Sequence, residues 1–456
     1  MPEFAPLDVA RWCGGAWSLP PAAPLRGFAI DTRAVQPGEL FVALPGERTD
    51  GHQHLAAAQA AGAAAALVRQ GTARSIFPLL EVADPKAALA AIAAGHRAAN
   101  PAFRIAVTGS TGKTTVKEMI ADVLATCAPT ARTRGNWNND IGLPLSLLTL
   151  EREHRFGVFE VGMSHPGELA PLCELLQPQA AVVTSVGPVH IEFFPNEEAI
   201  AREKAAVVRA VGAEGLVVLP ADDPWFEVLR RDVRCRLLTT SLRRAADYQA
   251  VQGAGLSFRV LERASGEEVE FLAPLPGDFV VQDALLAIAM GRSQGLAWEP
   301  IVGAIAAYQP VGLRWRREEI RGVLVINDAY NANPMSMRAA LQAFARTEVA
   351  GRRWLVLGSM REMGVHARPG HLTLGQEIAR GNWAGLLALG QEGAWFAEGA
   401  RAAGWSADRA RVCSVAEAAD FLQANAVAGD AVLLKASRGE RLEDVVKAWQ
   451  QRLGVS

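Results

Sequence analysis

The chain has 456 residues and a formal net charge of −2 at pH 7; half of its residues are apolar and 21% are charged. This length predicts two to four domains, and the composition is that of a soluble globular protein. The small net charge gives no electrostatic case for binding nucleic acid or an anionic membrane. Any anionic substrate must therefore be held by local basic groups and backbone amides.

The five cysteines and the amino terminus predict a cytoplasmic protein. The cysteines are scattered without C-x-x-C spacing, which favours reduced thiols over disulfides or a zinc site. The opening "MPEFAPLDVARW" has no basic stretch before an apolar core, so we expect no signal peptide. No apolar run approaches the roughly 18 residues that span a bilayer.

Three segments follow one another along the chain. Residues 1–84 mix short strand-like runs ("ELFVAL", "AAALV") with turn residues, which predicts a small α/β domain. The stretch "DPKAALAAIAAGHRAANP" then begins with Asp-Pro and ends with Asn-Pro, which predicts a helix and a domain boundary near Asp84.

Residues 85–312 alternate apolar runs ("RIAVTG", "FGVFEVG", "AAVVTSVG", "EGLVVLP") with helical patterns, typical of a parallel sheet covered on both faces. A hairpin is predicted late in this segment, at "RVLERASGEEVEFLAPLPGDF". Residues 313–456 repeat the alternation ("GVLVIND", "RRWLVLG", "AGLLALG", "DAVLLKAS"), which predicts a Rossmann-like domain. The predicted fold class is α/β with three domains.

The stretch "RIAVTGSTGKTTVKEMI" predicts a phosphate-binding loop. Its apolar strand is followed by glycines, Lys113 and Thr114, and then by apolar residues at helical spacing. The loop therefore leads into a helix N-terminus, where free N–H groups attract phosphate. Lys113 would reach the β and γ phosphates of ATP, and Thr114 would offer its hydroxyl to Mg²⁺. The full G-x-x-x-x-G-K-[ST] pattern is not met, because Val107 occupies its first glycine, and a chance loop is the alternative. The predicted nucleotide contacts of the loop are Gly109, Ser110, Thr111, Gly112, Lys113, Thr114 and Thr115.

The shorter T-G-x-x-G-K-T-T loop and the motifs after it resemble the Mur ligase family of ATP-dependent amino-acid ligases. The resemblance runs nearly end to end, through "GNWNNDIGLP", "FEVGMSHPGEL", "TSVGPVHIEFF", "EEAIAREKA", "INDAYNANPMSMRAAL" and "LLKASRG". The Y-N-A-N-P string and the amino-terminal "DTRAVQPGELFVALPGERTDGHQHL" are similar to the member that joins D-alanyl-D-alanine to a UDP-N-acetylmuramoyl-tripeptide. The D-N-P-R string usual in the tripeptide-forming member is missing.

This resemblance implies an ATP-dependent ligase of cytoplasmic peptidoglycan-precursor synthesis that forms ADP and phosphate. The γ-phosphoryl group would first move to the substrate carboxylate, giving an acyl phosphate that the incoming amine attacks. Such chemistry needs positioning and charge neutralisation more than covalent help from the protein. The implied ligands are ATP and Mg²⁺ at two sites, and we expect a monomer.

The resemblance also assigns candidate metal ligands. Glu160 ends an apolar strand at an edge where ligands bind in open α/β sheets, and its oxygens suit Mg²⁺. His190 would reach a second metal; a loop histidine with a local hydrogen bond is the alternative. Lys204 occupies a position that the family often carbamoylates, which would turn a cation into a metal ligand. The alternative for Lys204 is an exposed helical lysine paired with a neighbouring glutamate. With Thr114, these three complete the predicted metal ligands.

Further contacts follow from the same resemblance. Asn138 and Asn139 would lie near the reacting groups, unless they only satisfy backbone groups of their loop. Arg314 would bridge ATP phosphates from the hinge after the central domain. Asp328 and Asn331 would hold the nucleotide. The expected substrate contacts are Lys435, Ser437 and Arg438 for the dipeptide or phosphate, and Thr32, Arg33, Asp50, Gly51 and His52 for the uridine nucleotide. For Lys435, Ser437 and Arg438 the alternative is solvated surface charge. For Asp50, Gly51 and His52, the D-G-H string, the alternative is an ordinary turn with surface side chains.

Two positions depart from the family pattern. The family's H-N-x-x-N string, whose last asparagine contacts adenine, is replaced here by a sequence with Phe279, Val280 and Asp283 at those places. Asp283 is kept as a candidate nucleotide contact, although Asp cannot donate a hydrogen bond as Asn does. Ser359 stands where the family usually has aspartate.

Other functions fit parts of the pattern. Another ligase of this superfamily, such as the tripeptide-forming enzyme or a folylpolyglutamate synthase, is the nearest rival. A P-loop switch or a regulatory nucleotide-binding protein is the alternative from a different class. Glu160, His190 and Lys204 each follow one of three successive predicted strands. They argue against a switch, because a switch needs no second metal site.

Overall fold

Three sheets, each with helices packed against it, organise the chain. The computed structural model describes residues 2–46, 49–73, 77–253 and 255–454. The predicted α/β fold class is confirmed, and each sheet lies within one of the three predicted segments. The domain boundaries themselves stay predictions. Among the described residues, no helix combines the length and the apolar character that crossing a membrane requires.

The amino-terminal sheet has five strands in the order β1-β5-β4-β3-β2, parallel except for β1. Short apolar strands such as "LFV" are buried on both faces between helices and loops. The elements are α1 Pro6–Cys13, β1 Ala16–Trp17, β2 Phe28–Ala29, β3 Leu40–Val42, α2 Leu55–Ala60, β4 Ala65–Arg69 and β5 Leu79–Val82.

The predicted connecting helix is α3, Pro85–Ala98, which begins where Asp84 accepts hydrogen bonds from the N–H groups of Lys86 and Ala87. Proline at the first helical position needs no N–H partner there. The ring of His96, near the end of α3, donates to the Leu150 carbonyl at 2.8 Å. This contact joins α3 to the central sheet.

The central sheet has nine strands in the order β14-β13-β12-β11-β10-β9-β6-β8-β7. Strands β6 to β12 pair in parallel, and β12, β13 and β14 form an antiparallel extension that contains the predicted hairpin. The elements are β6 Phe103–Thr108, α4 Lys113–Ala125, β7 Thr130–Arg132, α5 Gly142–Leu147, β8 Phe156–Glu160, α6 Leu169–Leu176, β9 Ala180–Val183, α7 Glu197–Arg209, β10 Leu216–Pro220, α8 Phe226–Arg230, β11 Arg236–Ser241, β12 Tyr248–Gln252, β13 Ser257–Glu262, β14 Glu267–Leu272, α9 Asp278–Ser293 and α10 Trp298–Ala307.

The order of the central strands positions the site. Strand β6 lies between β8 and β9, so the chain crosses to opposite sides of β6 as it continues. A crevice opens at the carboxyl ends of the strands where the strand order reverses in this way, and ligands of open α/β sheets bind there. The carboxyl ends of β6, β8 and β9 all meet at this crevice.

The carboxy-terminal sheet has the order β15-β16-β20-β17-β18-β19, with only β15 antiparallel to its neighbour. Its elements are β15 Arg316–Ile320, β16 Val323–Asn327, α11 Pro334–Arg346, β17 Arg353–Gly358, α12 Ala367–Ala379, β18 Gly385–Leu389, α13 Ala394–Ala402, β19 Ala410–Val412, α14 Val415–Asn425, β20 Ala431–Lys435 and α15 Glu443–Leu453. Helix α11 contacts the central segment, where Arg346 pairs with Asp278 at 2.6 Å.

Candidate active site

The predicted phosphate loop lies between β6 and α4, as expected. Gly109 (φ 154°) passes so close to β9 that a Cβ there would lie 1.9 Å from Thr184 Oγ1. Gly112 (φ 79°) begins α4 in the left-handed region that glycine tolerates, and no side chain caps the helix. The first N–H groups of a helix have no intrahelical acceptor. The loop therefore presents free amides and the positive end of the helix dipole to the crevice.

The segment after β9 fixes the start of this loop. The Ser110 N–H donates to the Ser185 carbonyl at 2.8 Å, and the Ser110 hydroxyl donates to the Gly187 carbonyl at 3.0 Å. The Thr111 N–H donates to the Ser185 hydroxyl at 3.1 Å. The amides of Ser110 and Thr111 are thus used within the protein, which leaves the first turn of α4 to meet a ligand.

Two side chains of that first turn meet the predicted metal ligand. The Thr114 hydroxyl donates to Glu160 Oε2 at 2.7 Å, and Glu160 is 1% exposed at the end of β8. The Lys113 ammonium donates to the Gly109 carbonyl at 2.9 Å. Burial lowers the pKa of Lys113, and the positive charge of Arg314 lowers it further against the opposing effect of Glu160. An arriving phosphate would add negative charge beside this partly buried lysine.

The two predicted loop asparagines have different contacts. Asn138 donates through Nδ2 to Glu160 Oε1 at 2.7 Å, so it lies at the predicted metal ligand. The Asn139 side chain accepts from the Gly142 N–H at 2.8 Å, at the start of α5. Both residues line the crevice, but the side-chain contact of Asn139 is the local backbone contact that was the alternative.

His190 and Lys204 lie in different surroundings. His190, in the left-handed region (φ 58°), approaches Glu362 of the carboxy-terminal segment, with 2.5 Å between Nδ1 and Oε2. Lys204 is 3% exposed, so the alternative of an exposed lysine is wrong. Burial lowers the pKa of Lys204 well below its usual value, and the nearby Lys113 charge acts in the same direction. The neutral amine is the form that reacts with carbon dioxide, and the lowered pKa of Lys204 favours that form.

The carboxy-terminal candidates surround the buried Lys435; Ser437 is also buried, whereas Asn331 and Arg438 are exposed. Its ammonium donates to Asp328 Oδ2 at 2.6 Å and to the Asn331 carbonyl at 3.0 Å. The Lys435 side chain is 4% exposed, so the alternative interpretation of Lys435 as a solvated surface charge is wrong. The buried Ser437 hydroxyl accepts from the Arg361 N–H at 2.9 Å, and Arg438 pairs with Glu443 at 2.5 Å.

Arg314, which lies between the central and carboxy-terminal segments, packs against the Tyr330 ring. Its guanidinium carbon lies 3.6 Å from the centre of the Tyr330 ring, a cation–π contact. The next residue, Trp315, donates its backbone N–H to Asp328 Oδ1 at 3.1 Å. Arg314 therefore lies beside the Lys435 group with its own charge available to a ligand.

Asp283 is buried against the phosphate loop. It is 7% exposed, and its Oδ1 would lie 2.6 Å from a Cβ built on Gly112. No hydrogen bond or ion pair holds its carboxyl group among residues 2–46, 49–73, 77–253 and 255–454. Burial raises the pKa of Asp283 well above its usual value. The raised pKa favours the protonated form of Asp283, whose O–H can donate a hydrogen bond.

One cleft of about 1070 Å³ lies between the central and carboxy-terminal segments. Its lining includes most of the predicted site residues: Ser110, Thr111, Gly112, Lys113, Thr114, Thr115, Asn138, Asn139, Glu160, His190, Asp283, Arg314, Asp328, Asn331, Lys435, Ser437 and Arg438. Gly109 and Lys204 are not among the lining residues. The predicted site residues from two sheets therefore meet around one volume.

The amino-terminal candidates lie away from this cleft. Arg33 pairs with Asp31 at 2.6 Å and is largely exposed, beside Thr32. His52 Nδ1 lies 2.6 Å from Asp50 Oδ1, and its Nε2 accepts from the Arg69 N–H at 2.9 Å. The Gly51 N–H donates to the Leu44 carbonyl. The contact between Asp50 and His52 is local to the turn, whereas the contact between His52 and Arg69 reaches strand β4.

Sequence reasoning missed several lining residues. Tyr308, Arg361 and Glu362 line the cleft, and Ser185 holds the phosphate loop. Arg361 and Glu362 follow a strand end, in "VLGSMREMG", which is the signal that would have indicated them. Tyr308 directly follows helix α10 and carries no such signal.

The residues present fit ATP and Mg²⁺. In the described part of the chain, no group of three or more His, Cys, Asp and Glu side chains is arranged to hold a metal ion by itself. Mg²⁺ usually takes one or two protein oxygens and completes its shell with phosphate oxygens and water. The Thr114 hydroxyl and the Glu160 carboxylate, 2.7 Å apart, are such a donor pair at the mouth of a phosphate loop.

Comparison with known proteins identifies relatives along the whole chain. The family model described as Mur ligase middle domain matches residues 107–291, that described as Mur ligase, glutamate ligase domain matches 313–438, and that described as Mur ligase family, catalytic domain matches 24–97. UDP-N-acetylmuramoyl-tripeptide–D-alanyl-D-alanine ligase of Bacillus subtilis (strain 168) is 35% identical over 433 residues, 93% of each chain. The Escherichia coli (strain K12) protein of that name is 33% identical over 436 residues, 94% of each chain.

Solved structures agree with these relatives. A crystal structure of MurF from Acinetobacter baumannii has a TM-score of 0.88 and 28% identity, covering 99% of both chains. MurF ligase from Thermotoga maritima, solved in complex with ADP, has a TM-score of 0.80 and 26% identity, covering 94% of this chain and 98% of its own. On the matching domain models, the full-length relatives and the shared structure, this chain belongs to the Mur ligase family.

Proposed function

We propose that this protein is an ATP-dependent ligase that joins D-alanyl-D-alanine to UDP-N-acetylmuramoyl-tripeptide and forms ADP and phosphate. Relatives at 33–35% identity over nearly the whole chain carry the name of this activity. The observation that carries the proposal is the arrangement around one cleft: the phosphate loop and Glu160 on one side, and the Lys435 group on the other. Such a cleft suits two reactants brought together from different domains.

The central domain binds ATP and Mg²⁺ in this proposal. Amides of the loop and the first turn of α4 hold the phosphates, and Lys113 neutralises the group that is transferred. Thr114 and Glu160 are the oxygen ligands, with Asn138 fixing the second carboxylate oxygen of Glu160. Mg²⁺, when bound, supplies positive charge to the phosphate oxygens during transfer.

The substrate carboxylate is activated by phosphorylation. A carboxylate oxygen attacks the γ-phosphorus, the bond to the β-phosphate oxygen breaks, and ADP leaves with that electron pair. The amine of the dipeptide then attacks the carbonyl carbon of the acyl phosphate, losing a proton, and inorganic phosphate leaves. Lys113 and Arg314 place positive charge in the cleft where negative charge develops.

We further propose that Lys204 is carbamoylated and that His190 contributes to a second metal site. The neutral amine adds to carbon dioxide and releases one proton, which leaves an anionic carbamate. Support comes from the burial of Lys204 and its position near Lys113, since both disfavour the ammonium form. The carbamate would place negative charge beside Lys113 and oxygen donors toward the metal.

The two outer domains bind the other groups in this proposal. The amino-terminal domain takes the uridine nucleotide through the loops that hold Thr32, Arg33, Asp50, Gly51 and His52. The carboxy-terminal domain closes the cleft over ATP with Asp328 and Asn331, and Lys435, Ser437 and Arg438 face the dipeptide or phosphate. Contacts such as His190 with Glu362 and Asp278 with Arg346 already join the two larger domains.

Phosphate release in purified protein tests the proposal. ATP, Mg²⁺ and UDP-N-acetylmuramoyl-tripeptide are supplied with D-alanyl-D-alanine, with single amino acids, or alone; a folate with glutamate replaces both substrates in a further arm. The proposal predicts sustained release only with the tripeptide and D-alanyl-D-alanine. Release with single amino acids or with the folate would assign a different ligase, and ATP binding without release in any arm would assign a switch.

A further inference from the structure

Lys117 is a buried cation outside the cleft. Its side chain is 0% exposed, one helical turn after Lys113 in α4. The ammonium donates to the Thr133 carbonyl at 2.6 Å and the Gly135 carbonyl at 2.9 Å, and lies 2.5 Å from Glu118 Oε1. An ammonium has three donors, and here each has one acceptor.

The bonded carbonyls belong to a segment that holds Glu160 at both of its ends. This segment, residues 133–139, follows the edge strand β7, and its Thr133 N–H donates to the Val158 carbonyl of β8 at 3.0 Å. At its start, Thr133 Oγ1 accepts from the Glu160 N–H at 3.0 Å. At its end, Asn138 donates to Glu160 Oε1 at 2.7 Å. The position of the segment therefore sets the backbone and one carboxylate oxygen of Glu160.

The other carboxylate oxygen is held by Thr114 from α4, the helix that carries Lys117. Lys117 thus joins the two elements that hold the two oxygens of Glu160. Its anionic partner is held in turn, since Arg132 pairs with both Glu118 and Asp122 at 2.7 Å. Loss of the ammonium would leave two carbonyls without their donor and free the segment to move relative to α4.

We propose that Lys117 is a positioning residue for the Mg²⁺–nucleotide site, acting by holding residues 133–139 against α4. This role rests on the proposed function, because it requires Glu160 to bind the metal of a nucleotide. Lys117 itself does not line the cleft in which Mg²⁺ and the nucleotide would bind. Residues that orient a metal ligand from behind typically change metal affinity or activity 10–100-fold when replaced.

The test compares Lys117→Met with Arg97→Met by titration calorimetry with ADP at increasing Mg²⁺. Arg97 is a matched control, because it is also a buried cation that donates to two carbonyls, those of Glu174 and Leu175, and does not line the cleft. We expect Lys117→Met to need roughly 10-fold more Mg²⁺ for half-maximal ADP binding, with ADP binding in EDTA unchanged. Arg97→Met should match the wild type in both.

Each outcome decides the role of Lys117. An unshifted Mg²⁺ requirement in Lys117→Met, or an equal shift in Arg97→Met, would overturn it. If the single variant does not fold, Lys117→Met/Glu118→Gln, which also removes the carboxylate that faces Lys117, is scored in the same way. A wild type whose ADP binding does not respond to Mg²⁺ would overturn the proposed nucleotide site, and this role with it.

Discussion

Replacing Asp283 by asparagine should stabilise the protein by an amount that grows as the pH rises. Asp283 is 7% exposed, without a hydrogen bond or ion pair in the described part of the chain, and burial raises its pKa well above the usual value. The unfolded chain loses this proton near pH 4, at the ordinary aspartate pKa of about 3.9, whereas the folded chain keeps it to a higher pH. Between the two pKa values the folded state binds one proton more than the unfolded state.

The sign and size of the effect follow from proton linkage. The contribution of Asp283 to stability is fully present below the unfolded pKa and is lost as the pH rises toward the folded pKa. The loss is about 1.4 kcal/mol for each pH unit in that window. Asparagine does not titrate, so the free-energy difference between the variant and the wild type should widen at this slope. For the central domain, residues 85–312, this slope corresponds to a change of roughly 3–6 °C in the Tm difference per pH unit.

The assay is thermal unfolding of both proteins from about pH 4, where the unfolded aspartate titrates, to about pH 8 at constant ionic strength. Asp408→Asn, at a side chain that is 90% exposed, controls for the loss of one aspartate charge. A constant offset between Asp283→Asn and the wild type is compatible with the different hydrogen bonding of an amide. A difference in Tm that does not change with pH, or that is matched by Asp408→Asn, would refute the buried, protonated carboxyl group.

Three further substitutions test the site. Lys113→Ala should lower turnover at least about 100-fold, a loss of roughly 3 kcal/mol of transition-state stabilisation, with UDP-tripeptide affinity kept; calorimetry and phosphate release measure both, and a mutant with most of its turnover contradicts the assignment. Lys204→Ala should lose activity and regain part of it in acetate or propionate, which fill the place of the carbamate; a fully active variant ends that hypothesis. Lys435→Met should destabilise the carboxy-terminal domain by about 3 kcal/mol in urea unfolding, because it leaves the partly buried Asp328 without its cation; an unchanged unfolding midpoint would show that the pair contributes nothing.

The parallel strands β6, β8, β9 and β10 of the central sheet, and β16, β17, β18 and β20 of the carboxy-terminal sheet, were predictable because each is an apolar run bounded by turn residues. The helix capped by Asp84 was predictable for a local reason too, since its start and stop signals lie within the segment itself. The two-residue strands β1 and β2 and the edge strands β7 and β19 were not predicted. They are too short to carry a periodic pattern, and pairing with a neighbour decides whether they form at all.

The candidate site divides in the same way. The phosphate loop and Glu160 are set by contiguous sequence, and the structure brings them together as expected. Contacts between residues far apart in the sequence could not be predicted, because no local pattern marks them. Examples are the contact of Glu362 with His190 and the hydrogen bond from Lys117 to the Thr133 carbonyl. The burial of Asp283 was also unpredictable, because the close approach of α9 to the phosphate loop creates it.

Transfer of ¹⁸O tests the central claim most directly. The tripeptide carboxylate is labelled with ¹⁸O, ligation is run with ATP and D-alanyl-D-alanine, and the released phosphate is examined by mass spectrometry. Phosphorylation of the carboxylate requires one labelled oxygen to leave with each phosphate when the amine displaces it. Phosphate carrying one ¹⁸O per molecule, formed together with the UDP-pentapeptide, is the predicted result. Pentapeptide formed with unlabelled phosphate would contradict activation through an acyl phosphate, and no pentapeptide at all would contradict the proposed ligase.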